Sequence, residues 1–298
     1  MDDLQLWQLV LDAWRALRQR FEPVVEHTAR SINLDMRTWG LLLAALTFEP
    51  EDITPAHLMI RGPYTSAEMY HRRLDAAAQA GLLQELAPGR FRLSESGRET
   101  ALNLIEIGRQ AMAEADPLEP VESARLRDLL DRLVRACLET PPPPQTWSIQ
   151  LSCRLLPLPD PPMPFTEQAI SALYAYRDDA HLAAWQQSGL SATALETLTL
   201  LWRGEVDSLE ALCKRLEARG HSCQVYQAGI DDLRKRGYVN GPDHAPWLTG
   251  SGRVYRNQVE DETNRLFFRP WSCLSQDNRQ EMITLLIHMR DGLTTESG

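Results

Sequence analysis

Residues 93–99 read LSESGRE and residues 248–254 read LTGSGRV, so the pattern Leu, hydroxyl residue, any residue, Ser, Gly, Arg occurs twice in one chain. In each copy the Leu ends a predicted short strand, and the Ser or Thr after it is a good N-cap for the helix that follows. Small residues behind the cap allow two backbone segments to approach closely. The pattern therefore predicts a strand-to-helix junction that occurs twice.

The segments around the two junctions match in the same register. Residues 74–83, LDAAAQAGLL, align with residues 230–239, IDDLRKRGYV, and TWGLLLAAL at 38–46 aligns with ALETLTLLW at 194–202. The separation between matching residues stays at 155 or 156 positions throughout. A duplicated unit keeps its spacing, whereas chance matches do not. The sequence therefore predicts two copies of one folding unit.

Composition limits the class of protein. The chain has 298 residues, of which 43% are hydrophobic and 24% charged, and its net charge is −10. These values are typical of soluble globular proteins, and no apolar run reaches the roughly 20 residues of a membrane helix. The acidic N-terminal segment MDDLQLWQLVLDAW does not resemble a secretory signal, so we expect a cytoplasmic protein without membrane contact. The net charge opposes non-specific attraction to nucleic acid, although a local basic patch can persist on an acidic protein.

Each copy is predicted to contain three helices, a hairpin and a further helix, flanked by long helices. Apolar residues three and four positions apart over 2–29 predict a long amphipathic helix. The fold class is therefore mainly α with small β wings, in two tandem winged-helix domains related by an internal pseudo-two-fold axis. We place the first domain at 1–139 and the second, degenerate domain at 165–298.

Residues 140–164 separate the two copies and hold nine of the nineteen prolines. Proline disfavours helix and favours stiff, extended backbone. Apolar and polar residues alternate from Trp147 to Leu155, which is the period of a half-buried strand. The segment is predicted to be a proline-rich linker with one strand.

The reactive side chains give little support for catalysis. The five cysteines are scattered and form no C-x-x-C pair, so we expect buried thiols or thiols without a function. Asp178 and His181 have a helical spacing, but they lack further evident metal ligands. The chain also has no glycine-rich phosphate loop and no G-x-S-x-G motif. We therefore expect no enzyme activity, no metal and no cofactor.

The order of helix, helix, helix, two-stranded wing and a helix entered through L-[ST]-x-x-G-R is that of a winged helix. With long flanking helices in each copy, the chain resembles the MarR family of bacterial transcription regulators. The segments RTWGLLLAAL, RRLDAAAQAGLL and FRLSESGRETAL look like that family's second helix, the end of its recognition helix and its wing-to-helix junction. The resemblance is weaker over residues 190–256 and does not include the proline-rich linker.

The resemblance implies a protein that binds double-stranded DNA and responds to a small ligand. Members of that family usually work as homodimers with two recognition helices, so two fused copies imply a monomeric pseudo-dimer. Its members often bind small aromatic or anionic effectors between the dimerisation helices and the winged helix. Two alternatives remain open: a small-molecule-binding or pathway-associated protein that has lost DNA binding, and a protein-interaction module.

The candidate DNA-binding residues lie in the first copy, on the recognition helix and the wing. Arginine suits this role because guanidinium groups pair with phosphates and with guanine edges. The alternative is that the arginines only solvate an exposed helix face. The second copy offers few cations on its recognition helix, and its predicted outward residues, Gly229 among them, fit packing better than phosphate binding. The candidates are Ser66, Met69, Arg72, Arg73, Arg90 and Arg92.

The candidate effector-binding residues are aromatic side chains on or beside the long helices. Aromatic walls with a few polar groups are what small ligands require. The alternative for each residue is ordinary core packing. The candidates are Trp7, Trp14, Trp39, Tyr174, Tyr176 and Trp185.

Overall fold

The structure is a computed structural model that describes residues 2–115, 117–155 and 161–295. The first half contains α1 (Asp3–Ser31), α2 (Met36–Phe48), α3 (Pro55–Arg61), α4 (Ala67–Gln79), β1 (Leu83–Ala87), β2 (Arg90–Leu93), α5 (Glu95–Glu114) and α6 (Pro120–Glu139). Next come α7 (Trp147–Cys153), α8 (Pro162–Gln186), α9 (Ala192–Arg203), α10 (Leu209–Arg215) and a short 3-10 turn (Glu217–Arg219). The remainder is α11 (Cys223–Lys235), β3 (Val239–Asn240), β4 (Trp247–Leu248), α12 (Gly250–Phe268), a second 3-10 turn (Arg269–Cys273) and α13 (Gln276–Thr295).

The predicted mainly helical class with two small wings is confirmed. Strand β1 pairs with β2, and β3 pairs with β4, both antiparallel. The order of elements in the first half recurs in the second, and α4 and α11 each have 13 residues. Only α7 and the 3-10 turns have no counterpart in the first half among the described residues.

The repeated junction has the predicted geometry. The Ser94 hydroxyl caps α5 by accepting a hydrogen bond from the Gly97 amide at 2.9 Å. A Cβ atom at Gly97 would overlap the carbonyl oxygen of Leu82, so only glycine fits this approach. The same arrangement occurs at Thr249 and Gly252, where the cap distance is 3.0 Å. The two glycines therefore keep each wing close to the helix that follows it.

The long helices join the two halves. Helix α1 packs against α5 and α13, and α8 packs against α12 and α6, so each half contributes a helix to the other. Most of their buried apolar residues belong to one hydrophobic core that extends through the first winged helix. Trp7 of α1 meets the rings of Phe267 and Trp271 edge to face, with ring centroids 4.8 and 6.2 Å away. The second winged helix has a separate core around Tyr226 and Ile230.

The prediction of a strand in the linker is wrong, because residues 147–153 form helix α7. Its alternating pattern is too short to decide between one helical turn and a strand. Asp179 of α8 accepts hydrogen bonds from the Ser148 and Ile149 amides at 2.8 and 3.1 Å, and Gln168 donates to the Ser152 carbonyl at 3.0 Å. Both ends of α7 are therefore satisfied by side chains of α8.

Helix α8 also begins earlier than the predicted domain boundary at residue 165. It starts at Pro162, and proline is well tolerated in the first turn of a helix, where its missing N–H has no partner. The last residues assigned to the linker are therefore part of the second long helix. Residues 156–160 of the predicted linker lie outside the described residues.

The expectation that all cysteines are free thiols is also wrong. Cys213 of α10 and Cys223 of α11 form a disulfide, with Cα atoms 5.6 Å apart. Cys137 is a buried thiol, and Cys153 and Cys273 are half-buried thiols. Among the described residues no helix is long and apolar enough to cross a membrane.

Candidate nucleic-acid interface and ligand cavity

Helix α4 occupies the position of the recognition helix in the first winged helix. The Ser66 hydroxyl caps it by accepting a hydrogen bond from the Met69 amide at 3.1 Å. Leu74 and Ala77 are buried on its inner face, against the rest of the first winged helix. Arg72 and Ala76 are exposed on the outer face, as helical spacing predicts.

A groove of about 940 Å³ lies between this outer face, the end of α1 and the start of α2. We call it the α4 groove. Four arginines line it: Arg30, Arg37, Arg72 and Arg73. The sequence predicted the last two, but it did not indicate Arg30 and Arg37, because the sequence does not show how closely three helices of one copy approach each other. The structure thus places two more cations beside the predicted pair.

The four arginines differ in how strongly they are already paired. Arg30 bonds Glu26, and Arg72 lies 4.0 Å from Glu68, both across one turn of exposed helix. Exposed pairs of this kind contribute little and exchange readily. Arg37 is exposed and forms no ion pair within the described part of the chain. Burial lowers the pKa of the Arg73 guanidinium, and the positive charge of Arg37 acts in the same direction.

The start of α4 is covered by the second half. Residues 216–222, which we call the clamp loop, run between α10 and α11. The Ser66 amide donates to the Arg219 carbonyl at 2.9 Å, and the Ser66 hydroxyl donates to the Gly220 carbonyl at 3.1 Å. The Arg73 guanidinium donates to the Ala218 carbonyl at 2.8 Å. The clamp loop therefore holds two of the predicted DNA-binding residues.

Two further contacts fix the clamp loop to the turn before α4. A Cβ atom at Gly220 would overlap the Met69 side chain. Met69, a third predicted DNA-binding residue, is therefore also in contact with the clamp loop. The Arg219 guanidinium lies over the Tyr64 ring, with 5.8 Å from its carbon to the ring centroid, and pairs with Glu196 at 2.9 Å. In this conformation the turns of the two helix-turn-helix units pack against each other.

The wing arginines lie apart from the α4 groove. Arg90 and Arg92 are exposed on β2, and both pair with the carboxylate of Asp52, at 2.8 and 2.6 Å. Neither lines the groove. The two wing guanidinium groups therefore share one carboxylate.

The second recognition helix, α11, has a different surface. Tyr226, Ile230 and Leu233 are buried as predicted, but the prediction of an outward Gly229 is wrong: it is buried against Ala194 of α9. At the end of α11, Arg234 is held by Asp231 and Asp243 at 3.0 and 2.7 Å, Arg236 pairs with Asp232 at 3.0 Å, and Lys235 is exposed.

A cavity of about 810 Å³ lies between the first winged helix and the long helices. Its walls come from α1, α2, α3, α5, α7 and α8. Three predicted effector-binding residues line it: Trp14, Trp39 and Tyr174. The other three, Trp7, Tyr176 and Trp185, do not line it and are packed in the hydrophobic cores. Core packing is thus the better interpretation for those three residues.

The cavity contains polar groups that have no hydrogen-bond partner. The indole N–H groups of Trp14 and Trp39 are buried and unpaired, and so is Nδ1 of His57. The Trp14 indole lies beside the Glu167 carboxyl without a hydrogen bond of normal geometry. Arg109 is half-buried and forms no ion pair among the described residues. Unpaired buried donors are rare in folded proteins, but these indole and imidazole nitrogens are almost inaccessible to solvent, so a ligand would reach them only if the surrounding side chains moved.

Glu167 shows that the cavity is a protected environment. It accepts a hydrogen bond from the Ser171 hydroxyl at 3.0 Å. Its surface is partly accessible because it faces the cavity, yet the surrounding protein raises its pKa by removing bulk solvent. Sequence reasoning did not single out Glu167 or Arg109, because only the packing of α5 against α8 brings them to the same space.

The far end of the cavity reaches the clamp loop. Tyr64 and Arg219, which contact each other across the two halves, both line it, together with Arg61. The Tyr64 hydroxyl is 3.1 Å from Nε2 of His181, and Arg61 pairs with Asp178 at 3.0 Å. A molecule in the cavity would therefore touch side chains that hold the two halves together.

These elements define a helix-turn-helix protein with a groove lined by four arginines beside α4. A sequence model of a helix-turn-helix family matches residues 44–297, which is most of the chain, and the protein belongs to that family. Membership indicates a DNA-binding regulator in general terms. No curated protein and no solved structure matched the chain.

Proposed function

We propose that the protein is a DNA-binding transcriptional regulator of the MarR type, in which the first winged helix makes the main DNA contacts. The main observation in support of this proposal is the α4 groove, which is lined by four arginines at the outer face of a recognition helix. Phosphate contacts by Arg and Lys supply most of the sequence-independent affinity of such proteins. The local charge is thus opposite to the net charge of −10.

The proposal includes a single-chain pseudo-dimer. Reciprocal packing supports it: α1 of the first half packs on α13, and α8 of the second half packs on α6. The recurrence of the element order at a spacing of 156 residues between α4 and α11 supports it as well. Two-fold related partners make such exchanged contacts in isologous dimers. The second winged helix is then a structural partner, since two of the three cations at the end of α11, Arg234 and Arg236, are already paired.

The contacts of the clamp loop divide the DNA-binding residues into two groups. Arg30, Arg37 and Arg72 face the groove and are available to phosphates in the described conformation. Ser66 and Arg73 are bonded to the clamp loop. We therefore expect phosphate binding with little base reading in this conformation, and base contacts only after the clamp loop has moved.

The salt dependence of binding tests this proposal. Fluorescence anisotropy with mixed genomic fragments gives the slope of log affinity against log salt, and each lost phosphate contact reduces that slope by about 0.9. Arg37→Ala and Arg72→Ala are each expected to reduce it by about one unit. The matched control is Arg135→Ala, an exposed arginine paired within α6 to Asp131 and outside the groove. No binding at low salt, or an equal effect of the control, would overturn the proposal.

A second function, effector binding, is supported by the cavity. Trp14, Trp39 and Tyr174 line the cavity with aromatic rings, and Arg109 provides a half-buried cation that has no ion-pair partner in the described part of the chain. An aromatic acid fits this combination, because its ring would stack on the indoles and its carboxylate would pair with the guanidinium.

Effector binding would act on the clamp loop through two side chains that line the cavity. A ligand that displaces Tyr64 or Arg219 would weaken the contact between the two halves. A ligand shifts a conformational equilibrium only as far as it prefers one state, so this effector must bind more tightly when the contact is broken. DNA affinity should then change with effector concentration.

Tryptophan fluorescence titrated with substituted benzoates tests the cavity. Arg109→Met is expected to weaken binding about tenfold or more, which is typical for the loss of a charge-assisted hydrogen bond. Arg15→Met, on the exposed face of α1, is the matched control and should bind as the wild type does. Trp39→Phe should reduce the fluorescence response. If Arg109→Met binds the benzoates with unchanged affinity, the cavity is not their site.

A further inference from the structure

The Cys213–Cys223 disulfide lies at the base of the clamp loop. Cys213 belongs to α10 and Cys223 is the first residue of α11, so the bond closes the segment 214–222 that carries the whole clamp loop. The Cα distance of 5.6 Å is in the usual range for disulfides. Two elements that flank the loop are thus fixed to each other by one covalent bond.

The clamp loop lies inside this closed segment, and its residues bond α4 and the turn before it. The Arg219 and Gly220 carbonyls accept from Ser66, and the Ala218 carbonyl accepts from Arg73. Nε2 of His221 lies 3.2 Å from the Tyr64 carbonyl oxygen. Three of these four contacts use backbone carbonyls of the loop, so they depend on the path of its backbone.

The disulfide is placed where small thiols can reach it. Cys223 is exposed and Cys213 is half-buried. Cys223 also occupies the first turn of a 13-residue helix, where the helix dipole favours a thiolate. Exposed disulfides are more easily reduced than buried structural ones, and disulfides in reducing compartments are usually transient.

We propose that Cys213 and Cys223 form a reversible, redox-responsive disulfide that controls the hold of the clamp loop on α4. In the oxidised protein the loop is closed and Ser66 and Arg73 are bonded to it. In the reduced protein no covalent bond closes the loop, so its backbone can adopt more conformations. Its carbonyls are then no longer held opposite α4, and the start of the recognition helix becomes accessible.

Thiol–disulfide exchange with a low-molecular-weight disulfide supplies the chemistry. The Cys223 thiolate attacks one sulfur of the small disulfide, a mixed disulfide forms, and one small thiol leaves. The Cys213 thiolate then attacks the Cys223 sulfur, the protein disulfide forms, and the second small thiol leaves. Two protein thiols are oxidised and one small disulfide is reduced to two thiols. Excess small thiol reverses both steps.

Hydrogen exchange at the start of α4, measured by mass spectrometry, tests the proposal without DNA. The full-length protein is equilibrated in oxidised glutathione or in reduced glutathione, and the Cys213–Cys223 bond is quantified by thiol alkylation. Reduction is expected to accelerate exchange of the Ser66 amide about tenfold or more, because closing a loop of this length restricts its open states by at least that factor. The Gly97 amide, bonded to Ser94 in the same winged helix, is the internal control and should not change.

Two variants complete the test. Cys223→Ser should show fast Ser66 exchange in both buffers, whereas Cys153→Ser, which removes a thiol outside the disulfide, should respond as the wild type does. If Cys223→Ser fails to fold, Cys213→Ala provides the same information. The proposal is overturned if the bond is reduced and Ser66 exchange stays unchanged, or if the bond resists millimolar reduced glutathione in the folded protein.

The same preparations separate this inference from the proposed function. Faster exchange at Ser66 with tighter DNA binding on reduction would support both. Faster exchange without DNA binding under any condition would support the redox-responsive contact and contradict the DNA-binding proposal.

Discussion

The pH dependence of stability is expected to report on Asp179, the side chain that caps α7 from another helix. The carboxylate is only 4% exposed and accepts from the Ser148 and Ile149 amides. Burial raises its pKa from 3.8 to about 6, even though the two amides act in the opposite direction. We propose Asp179→Asn as the perturbation, because asparagine keeps one acceptor oxygen and removes the charge.

The sign and size of the effect follow from proton linkage. The folded protein holds the Asp179 proton more tightly than the unfolded chain does, so this group adds stability that is fully present below pH 3.8 and is lost as the pH rises through about 6. A difference of about two pKa units corresponds to roughly 3 kcal/mol. The stability of the wild type relative to Asp179→Asn should therefore increase by about 2–3 kcal/mol between pH 7 and pH 4.

Urea unfolding at a series of pH values measures this difference. Asp35 provides a matched control, since it accepts hydrogen bonds from the amides of Arg37 and Thr38. These are the second and third residues of α2, as Ser148 and Ile149 are of α7. Asp35 is exposed, and its hydrogen bonds, that from the Thr38 hydroxyl foremost, lower its pKa. Asp35→Asn should therefore show the opposite sign, with the advantage of the wild type lost as the pH falls. A flat difference for Asp179→Asn would refute the reasoning.

Three further predictions concern single residues. Gly220→Ala should lower stability by about 1–2 kcal/mol in urea unfolding, because the residue has positive φ and its Cβ would overlap Met69. His181, whose pKa burial lowers to about 4, should contribute stability that is lost as the pH falls from 6.5 towards 4, and His181→Gln should remove this loss. Arg256→Ala should lower the free energy of unfolding by about 3 kcal/mol, because the guanidinium is only 3% exposed and its loss leaves Glu260 without that partner. A variant with the urea midpoint of the wild type would contradict this prediction.

The sequence by itself was sufficient for most of the elements and their order, with α7 as the exception. Capping residues such as Ser66 and Ser94 mark helix starts through local hydrogen bonds, and these depend only on neighbouring residues. The glycine in each repeated junction also indicated a close approach of wing and helix, because only glycine fits beside the backbone carbonyl there. Half of the aromatic residues assigned to an effector site line the cavity, but periodicity could not separate them from Trp7, which has the same helical spacing and lies in the core.

Contacts between distant residues decided the rest. The segment after Trp147 became a helix because Asp179 and Gln168 satisfy its ends from another helix, although its local pattern equally allows a strand. Arg73, which sequence places on an open helix face, is bonded to a loop 145 residues away. The α4 groove, the cavity and the clamp loop exist only where helices from different parts of the chain meet. Helix caps and turns depend on hydrogen bonds between residues that are close in sequence, so short segments predict them. Contacts between distant surfaces depend on how whole helices are placed relative to one another, and the shared hydrophobic core sets that placement.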